Sequence, residues 1–225
     1  GAAARDPGRL HALLQQIFEV YKTHAAPPAA AASRERAAFG EEPQEDPAAW
    51  RHRQGVALAL AALAPSLKAR EQLPVVFSFL KKGLADEHEA VAQAMVAAGR
   101  EVIDKQAAPD EMVGMLVPML EAFLAEPATT ETHDRVRQGV VLYFGALAKH
   151  IPADDPKVAQ VVERLMDALG TPSEVVQRTI SLSLKELASK PAVKARAAEL
   201  LEGLLKTNLA SPSYASRRGA AFGLA

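Results

Sequence analysis

Apolar residues recur along this chain at intervals of three and four, the spacing that places them on one face of a helix. The first such run is RLHALLQQIFEVYKT at residues 9–23. The same pattern predicts further helices at 46–67, 72–84, 88–105, 109–125, 133–150, 156–169, 173–189, 191–208 and from 214 onwards. No segment alternates apolar and polar residues over the length of a strand, so we predict an all-α fold without β-strands.

Short polar segments, prolines and glycines mark the turns between the predicted helices. We expect turns near residues 86, 131, 153, 171 and 212, with the segment PATTETH at 127–133 as a loop. Around the helix at 156–169, Asp155 is expected to cap the start, Gly170 to end the helix, and Ser173 to begin the next one.

The segment at about 25–47 differs in composition from the rest of the chain. It is rich in proline, alanine and charged residues, and it offers few side chains for a core. We therefore predict a mobile loop here. The favoured interpretation is a solvated linker, and the alternative is a segment that becomes ordered on a partner.

Related sequences recur at intervals of roughly 40 residues. They are RQGVALALAALA, AQAMVAAG, RQGVVLYFGALA, QRTISLSLKELA and RRGAAFGLA, aligned on Gly55, Ala94, Gly139, Thr179 and Gly219. A period of this length built from helix pairs is typical of HEAT and armadillo solenoids, and two helices per unit favour HEAT. We therefore predict a HEAT-repeat solenoid, an armadillo-like α-α superhelix, in which residues 1–225 form a single array of about five helix pairs.

The repeat leads to three further expectations. The glycines Gly55, Gly139 and Gly219 share one register, which indicates close approach of a neighbouring helix. Leu142 lies in the most apolar second helix and is expected to be fully buried. The last helix is still apolar at residue 225, and no polar capping unit follows, so we expect the chain to be a fragment of a longer array.

Charge and composition exclude several classes of protein. The 26 basic and 27 acidic residues nearly cancel, which argues against a strongly basic nucleic-acid domain but leaves a local basic stripe open. The chain has no cysteine, so neither disulfides nor a thiolate metal site can form. No apolar run is long enough to span a membrane, and the N-terminus does not have the pattern of a signal peptide.

The sequence offers little that would support catalysis. The six histidines are scattered, and no two have the spacing of a metal site with a catalytic glutamate between them. A nucleotide-binding glycine loop and a serine nucleophile motif are both missing from the sequence. We therefore predict a protein that is not an enzyme, with no catalytic, cofactor-binding or metal-binding residues and no cofactor.

Arginines cluster at the starts of the second helices of the predicted pairs. The candidates are Arg53, Arg137, Arg178, Arg217 and Arg218. Stacked repeats place equivalent positions along one line, so we expect a ladder. The favoured interpretation is structural, with each guanidinium bound to acids or turn carbonyls of its own or the adjacent repeat. The alternative is a basic ridge that contacts phosphate.

Four segments carry a resemblance to a known family. They are WRHRQGVALALAALAPSL at 50–67, DRVRQGVVLYFGALAKHIPADDPKV at 134–158, ALGTPSEVVQ at 168–177 and SYASRRGAAFGLA at 213–225. They resemble the giant HEAT-repeat translational activators of the general amino-acid control pathway, in the stretch that leads into the region resembling elongation factor three.

The resemblance implies a function as well as a fold. It implies a cytoplasmic, ribosome-associated scaffold that helps to activate the initiation-factor-two kinase in amino-acid starvation or ribosome stalling. The implied partners are the ribosome and regulatory proteins bound by the full-length scaffold, with no kinase contact in this segment and no DNA or membrane partner. The alternative is a HEAT scaffold of another class, such as a transport receptor or a phosphatase scaffold.

Overall fold

The computed structural model describes residues 7–25, 48–125 and 131–225, and all regular structure in these ranges is helical. The α-helices are α1 (Pro7–Thr23), α2 (Ala49–Leu63), α3 (Leu73–Leu84), α4 (Glu89–Asp104), α5 (Pro109–Ala125), α6 (Glu131–Ala148), α7 (Lys157–Ala168), α8 (Glu174–Leu187), α9 (Pro191–Ala195), α10 (Ala197–Glu202) and α11 (Tyr214–Leu224). A 3₁₀ turn, Ala64–Ser66, extends α2, and a π-helical turn, Gly203–Asn208, extends α10. The all-α prediction is confirmed.

Consecutive helices pack as hairpins, and the hairpins stack. α1 packs on α2, α3 on α4, α5 on α6 and α7 on α8, and the π-helical turn that follows α10 packs on α11. The second helices of these pairs form a continuous row in which each contacts the next, in the order α2, α4, α6, α8, α11. This row is the structural form of the repeat in the sequence.

The core lies between the two rows of helices and runs the length of the stack. Its largest fully buried side chains include Tyr143, Phe77 and Phe144. The rings of Phe77 on α3 and Tyr143 on α6 meet edge to face, with centroids 5.4 Å apart. One helix pair cannot cover its own apolar face, so these inter-repeat contacts supply burial that a single pair lacks.

Two of the three aligned glycines pack closely against a neighbouring helix pair. A Cβ at Gly139 would lie 2.6 Å from the side chain of Leu84 at the end of α3, and one at Gly219 would collide with the carbonyl oxygen of Leu169. Gly55 lies in the first described pair, and no described residue beyond its own helix backbone lies within 4 Å of a Cβ placed there, so close approach at Gly55 stays a prediction. Both of the occupied glycines face the end of the first helix of the preceding pair.

Most of the predicted helix ends and turns are confirmed. Ser173 caps α8 by accepting a hydrogen bond from the Val176 N–H. Asp155 accepts the N–H of Lys157, the first residue of α7, with 2.8 Å between the atoms. No strand occurs in the described part of the chain.

Three details of the prediction need correction. α6 begins at Glu131, two residues before the predicted start. The loop predicted at 127–133 therefore ends earlier than expected. The single helix expected at 191–208 is broken at Arg196, which leaves helical geometry (φ −105°, ψ 6°) and binds Glu163 on α7 and Glu199. Leu142 is only partly buried, because it points along the open side of the second-helix row.

Two predicted loops fall largely outside the described residues. Of the segment at about 25–47, only Ala25 is described, and of the segment 127–133, only residues 131–133 are described. In the described ranges, no helix combines the length and the apolar character needed to cross a membrane.

Candidate functional site

Arg53 on α2 is the most deeply enclosed of the candidate arginines. Its Nε lies 2.7 Å from Oδ2 of Asp86 and its Nη2 lies 3.0 Å from Oδ1, which makes a two-pronged ion pair. Its Nη1 also donates to the carbonyl oxygen of His24 at 2.6 Å. Arg53 is only 7% exposed, so the guanidinium joins the first helix pair to the turn of the second instead of facing solvent.

Asp86, in the turn between α3 and α4, collects bonds from several elements. Its carboxylate accepts the hydroxyl of Tyr21 on α1 at 2.7 Å and the N–H of His88 at 2.9 Å. Its backbone carbonyl accepts Nη1 of Arg135 on α6 at 3.2 Å. One turn residue of the second pair is therefore bonded to the first pair, through Tyr21 and Arg53, and to the third pair, through Arg135.

The surroundings of Asp86 shift the pKa values of the groups in this cluster. Burial by itself raises the pKa of Asp86, but the hydrogen bonds from Arg53, Tyr21 and the His88 N–H outweigh it, so the pKa lies below its ordinary value. Burial, and then the hydrogen bond to Asp86, raise the pKa of Tyr21 well above its ordinary value. The ion pair is therefore charged, and the phenol neutral, across the physiological range of pH.

Aromatic rings surround the same corner of the molecule. The imidazoles of His24 and His52 stack with centroids 4.0 Å apart, and Trp50 stacks on His88 at 4.3 Å. Arg51 lies over the ring of Trp50 at 5.5 Å. His24 and Trp50, on either side of the 26–47 segment, are therefore both held against the folded stack.

Arg137, in the same register as Arg53, has a different environment. It is exposed and makes no hydrogen bond or ion pair with any described residue. It borders a groove of about 400 Å³ between the third and fourth helix pairs. The groove has an apolar floor of Leu124, Val141 and Val176 and carries acidic and basic side chains on its rim.

The remaining candidates bind their own or adjacent repeats. Arg178 pairs with Glu174 at 2.8 Å and lies 5.0 Å from the ring of Phe222 on α11. Arg217 donates to the carbonyls of Ser211 and Pro212 in its own turn, each at 2.8 Å.

Among Arg178, Arg217 and Arg218, it is Arg218 that bonds the residues most distant in sequence. It donates to Oε1 of Gln177 at 2.8 Å and to the carbonyl of Pro172 at 2.6 Å. The candidate arginines thus have four kinds of environment: buried, beside a groove with no partner among the described residues, paired in their own repeat, and bridging two repeats. Whether any of them contacts a partner stays a prediction.

The acceptors of this network were not predicted from the sequence. Gln177 is fully buried, and its Nε2 donates to the carbonyls of Leu169, Thr171 and Ala215. It occupies the register of Arg53, two residues before the aligned position. A polar residue at that register is the sequence feature from which its bonding role could have been predicted. Asp86 had a weaker signal as an acid in a short turn, and the position of Tyr21 gave none.

The arrangement suits mechanical connection more than chemistry. In the part of the chain that the structure describes, no group of three or more acidic or histidine side chains could hold a metal ion. The polar groups that are brought together, Arg53 with Asp86 and Gln177 with three carbonyls, are largely saturated by one another. The exposed groups lie along the row of second helices and in the groove beside Arg137.

Comparison with known proteins identifies the family. The family model described as the HEAT repeats of the stalled ribosome sensor GCN1 matches residues 1–149. Protein ILITYHIA of Arabidopsis thaliana is 46% identical over 182 residues, which cover 79% of this chain and 6% of that protein. The eIF-2-alpha kinase activator GCN1 of Dictyostelium discoideum is 37% identical over 216 residues, with 95% of this chain and 7% of that protein covered.

A third relative matches the whole chain. The stalled ribosome sensor GCN1 of Homo sapiens is 34% identical over 224 residues, which cover 100% of this chain and 8% of that protein. The chain therefore spans less than a tenth of the length of these relatives. No solved structure matches it. The resemblance seen in the sequence is confirmed, and this chain belongs to the family of HEAT repeats of the stalled ribosome sensor GCN1.

Proposed function

We propose that this chain is a non-enzymatic scaffold segment of a ribosome-associated regulator of translation. In this proposal the full-length protein senses stalled ribosomes and helps to activate the eIF-2-alpha kinase, as the names of the human and Dictyostelium relatives describe for those proteins. The observation that carries the proposal is the unbroken contact from α2 to α11 along the second helices. Such a stack transmits position and supplies surface, which is what a scaffold requires.

We also infer that residues 1–225 form a single array of about five helix pairs. Support comes from the connections between pairs: Arg53 with Asp86 between the first two, Tyr143 with Gly99 between the second and third, and Gln177 with Ala215 between the last two. The proposed partners are the ribosome and regulatory proteins, reached through the full-length scaffold in the cytoplasm. Direct kinase contact, DNA and membrane are not expected for this segment.

The test uses the full-length protein in starved cells that lack their own copy. The Asp86→Ala variant removes the carboxylate that accepts from Tyr21, Arg53 and the His88 N–H, and it is expected to loosen the scaffold within this segment. We expect both co-sedimentation with stalled ribosomes and phosphorylation of initiation factor two to fall together. Glu71→Ala, at an exposed residue in the same helix pair, is the matched control and should leave both unchanged.

Two results would contradict the proposal. One is full phosphorylation and full ribosome association by an Asp86→Ala protein whose segment is shown to be loosened by hydrogen exchange. The other is catalytic turnover by the purified segment that persists in the Asp86→Ala variant, because a scaffold protein catalyses no reaction.

A further inference from the structure

The five second helices lie side by side in nearly the same register. The hydroxyl of Tyr143 on α6 donates to the carbonyl of Met95 on α4 at 2.9 Å, and Ser181 on α8 donates to the carbonyl of Phe222 on α11 at 2.5 Å. When the repeats are aligned on Gly55, Ala94, Gly139, Thr179 and Gly219, each donor lies within one helical turn of its acceptor. Equivalent positions of the repeat therefore form rows that cross the five helices.

One of these rows is apolar without being buried. Three residues after the aligned position stand Leu58, Ala97, Leu142, Leu182 and Phe222, which we call the apolar row. Leu58 is 64% exposed and Leu182 is 67% exposed, and none of the five is buried. Large aliphatic side chains left this open at equivalent positions mark a surface that a partner covers.

The next row towards the N-terminal ends of these helices carries hydrogen-bond donors. One turn away from the apolar row stand Gln54, Gln93, Gln138, Arg178 and Arg218, which we call the donor row. Gln54 and Gln138 make no hydrogen bond with any described residue. Gln93 binds Glu89, and Arg178 and Arg218 share Glu174.

A third row adds positive charge to the same face. It consists of Arg51, Ala90, Arg135, Val175 and Ala215, again without a buried member. Neither Arg51 nor Arg135 has a carboxylate partner among the described residues, and the three rows together contain no acid. The nearest acids are Glu89, Asp134 and Glu174 in the adjoining register. These acids offset part of the charge, because the four arginines of the rows stand beside three acids. The small positive excess that is left complements an acidic partner.

The spacing of the rows selects the conformation of that partner. Packed helices lie about 8–10 Å apart, so an apolar side chain is offered at that interval. A polyproline II segment repeats every three residues, or roughly 9.3 Å, whereas a β-strand repeats at about 6.6 Å. The backbone carbonyls of a polyproline II segment are also unpaired, so they can accept from the donor row, whereas those of an α-helix are already bonded.

We propose that this face binds an acidic, proline-rich protein segment in the polyproline II conformation. Apolar side chains at every third residue lie on the apolar row, while backbone carbonyls accept from the donor row. Crossing five helices takes a segment of about 13 residues. The proposal stands apart from the function proposed above, because it concerns which polypeptide the stack binds and not which pathway it serves.

The test uses the purified 225-residue chain and a fluorescein-labelled peptide, LPELPELPELPEL, whose leucines repeat every third residue. Binding is followed by fluorescence anisotropy, and hydrogen exchange locates the contact. We expect saturable binding with protection along α2, α4, α6, α8 and α11. A peptide of the same composition with its leucines at irregular positions is the control and should bind at least about tenfold more weakly.

Paired variants separate this face from general stickiness. Leu58→Glu with Leu182→Glu should weaken binding by about a hundredfold, since two apolar contacts are lost. Val75→Glu with Leu205→Glu, which changes two exposed apolar residues of the first-helix row, should leave it unchanged. Gln54→Ala with Gln138→Ala should weaken binding by about tenfold. All variants lie at unburied positions, and circular dichroism confirms their fold.

Several outcomes would overturn the proposal. They are the absence of saturable binding, equal binding of the irregular peptide, and equal loss of binding in the first-helix variants. Competition by single-stranded oligouridylate, with binding that falls steeply as salt rises, would also overturn it. That result would identify the arginines of this face as a phosphate-binding surface.

Discussion

Two glycines in this fold are expected to respond in opposite ways to the same substitution. Gly99 on α4 faces the ring of Tyr143, and a Cβ there would overlap ring carbons of a side chain that is 1% exposed. Gly55 on α2 has no described residue beyond its own helix within 4 Å of the place where a Cβ would stand. We therefore predict that Gly99→Ala destabilises the chain and that Gly55→Ala stabilises it.

The magnitudes follow from the contacts. Gly55→Ala in a helix interior should gain about 1 kcal/mol in free energy of unfolding through helix propensity alone. Gly99→Ala gains the same, but overpacking costs about 1–3 kcal/mol. Displacing the ring also breaks the 2.9 Å hydrogen bond from the Tyr143 hydroxyl to Met95, worth about 1 kcal/mol. The net loss expected for Gly99→Ala is about 1–3 kcal/mol.

Urea denaturation followed by far-ultraviolet circular dichroism measures both variants. The midpoint should rise for Gly55→Ala and fall for Gly99→Ala. Combining Gly99→Ala with Tyr143→Leu tests the mechanism, because the smaller side chain removes the overlap and the double variant should lose less than the sum of the two single losses. Equal midpoints for the two alanine variants, or strict additivity with Tyr143→Leu, would refute the proposed contact.

Three further predictions concern the core and the Asp86 cluster. Asp86→Ala should lower the free energy of unfolding by about 3–5 kcal/mol in urea melts, because it leaves the buried Arg53 unpaired; a loss below about 1 kcal/mol would contradict this. Because the folded pKa of Asp86 is depressed, its contribution is complete above the ordinary carboxyl pKa and is lost as pH falls through the folded value, so melts of Asp86→Asn should decline less below about pH 4 than the parent. Phe144→Ala should cost about 3–5 kcal/mol and the partly buried Leu142→Ala less than about 2 kcal/mol, and a reversed order in the same assay would be inconsistent with the packing.

Local patterns predicted the elements and the repeat well. Helical spacing and the turn residues identified the helices, and the common register of Gly139 and Gly219 correctly indicated close approach of the preceding pair. These features depend on residues near one another in the chain. Gly55 shares the register, but the described residues include no pair before its own, so the same sequence signal is not tested there.

Features that depend on distant residues were not predictable in this way. Density of apolar residues indicated that Leu142 is buried, but its side of α6 is the open side of the row. At the break in the last first-helix, Arg196 binds Glu163 on another helix, a contact between residues 33 positions apart in the chain. The partner of Arg53 could be predicted only as some acid or carbonyl, because Asp86 reaches it through the stacking of whole helix pairs.

The bonds of Asp86 set how far a disturbance travels along the stack. In an ordinary solenoid each repeat interacts only with its immediate neighbours, so unfolding proceeds one unit at a time. Asp86 belongs to the second pair, and this one residue bonds both neighbours of that pair: the first through Tyr21 and Arg53, and the third through Arg135. A pulling force applied at α1 is therefore shared by three helix pairs. Because one residue couples both interfaces, the N-terminal part of the array should rupture as one unit of about 140 residues, from α1 to the end of α6, whereas a solenoid whose interfaces fail independently would unravel in steps of about 40.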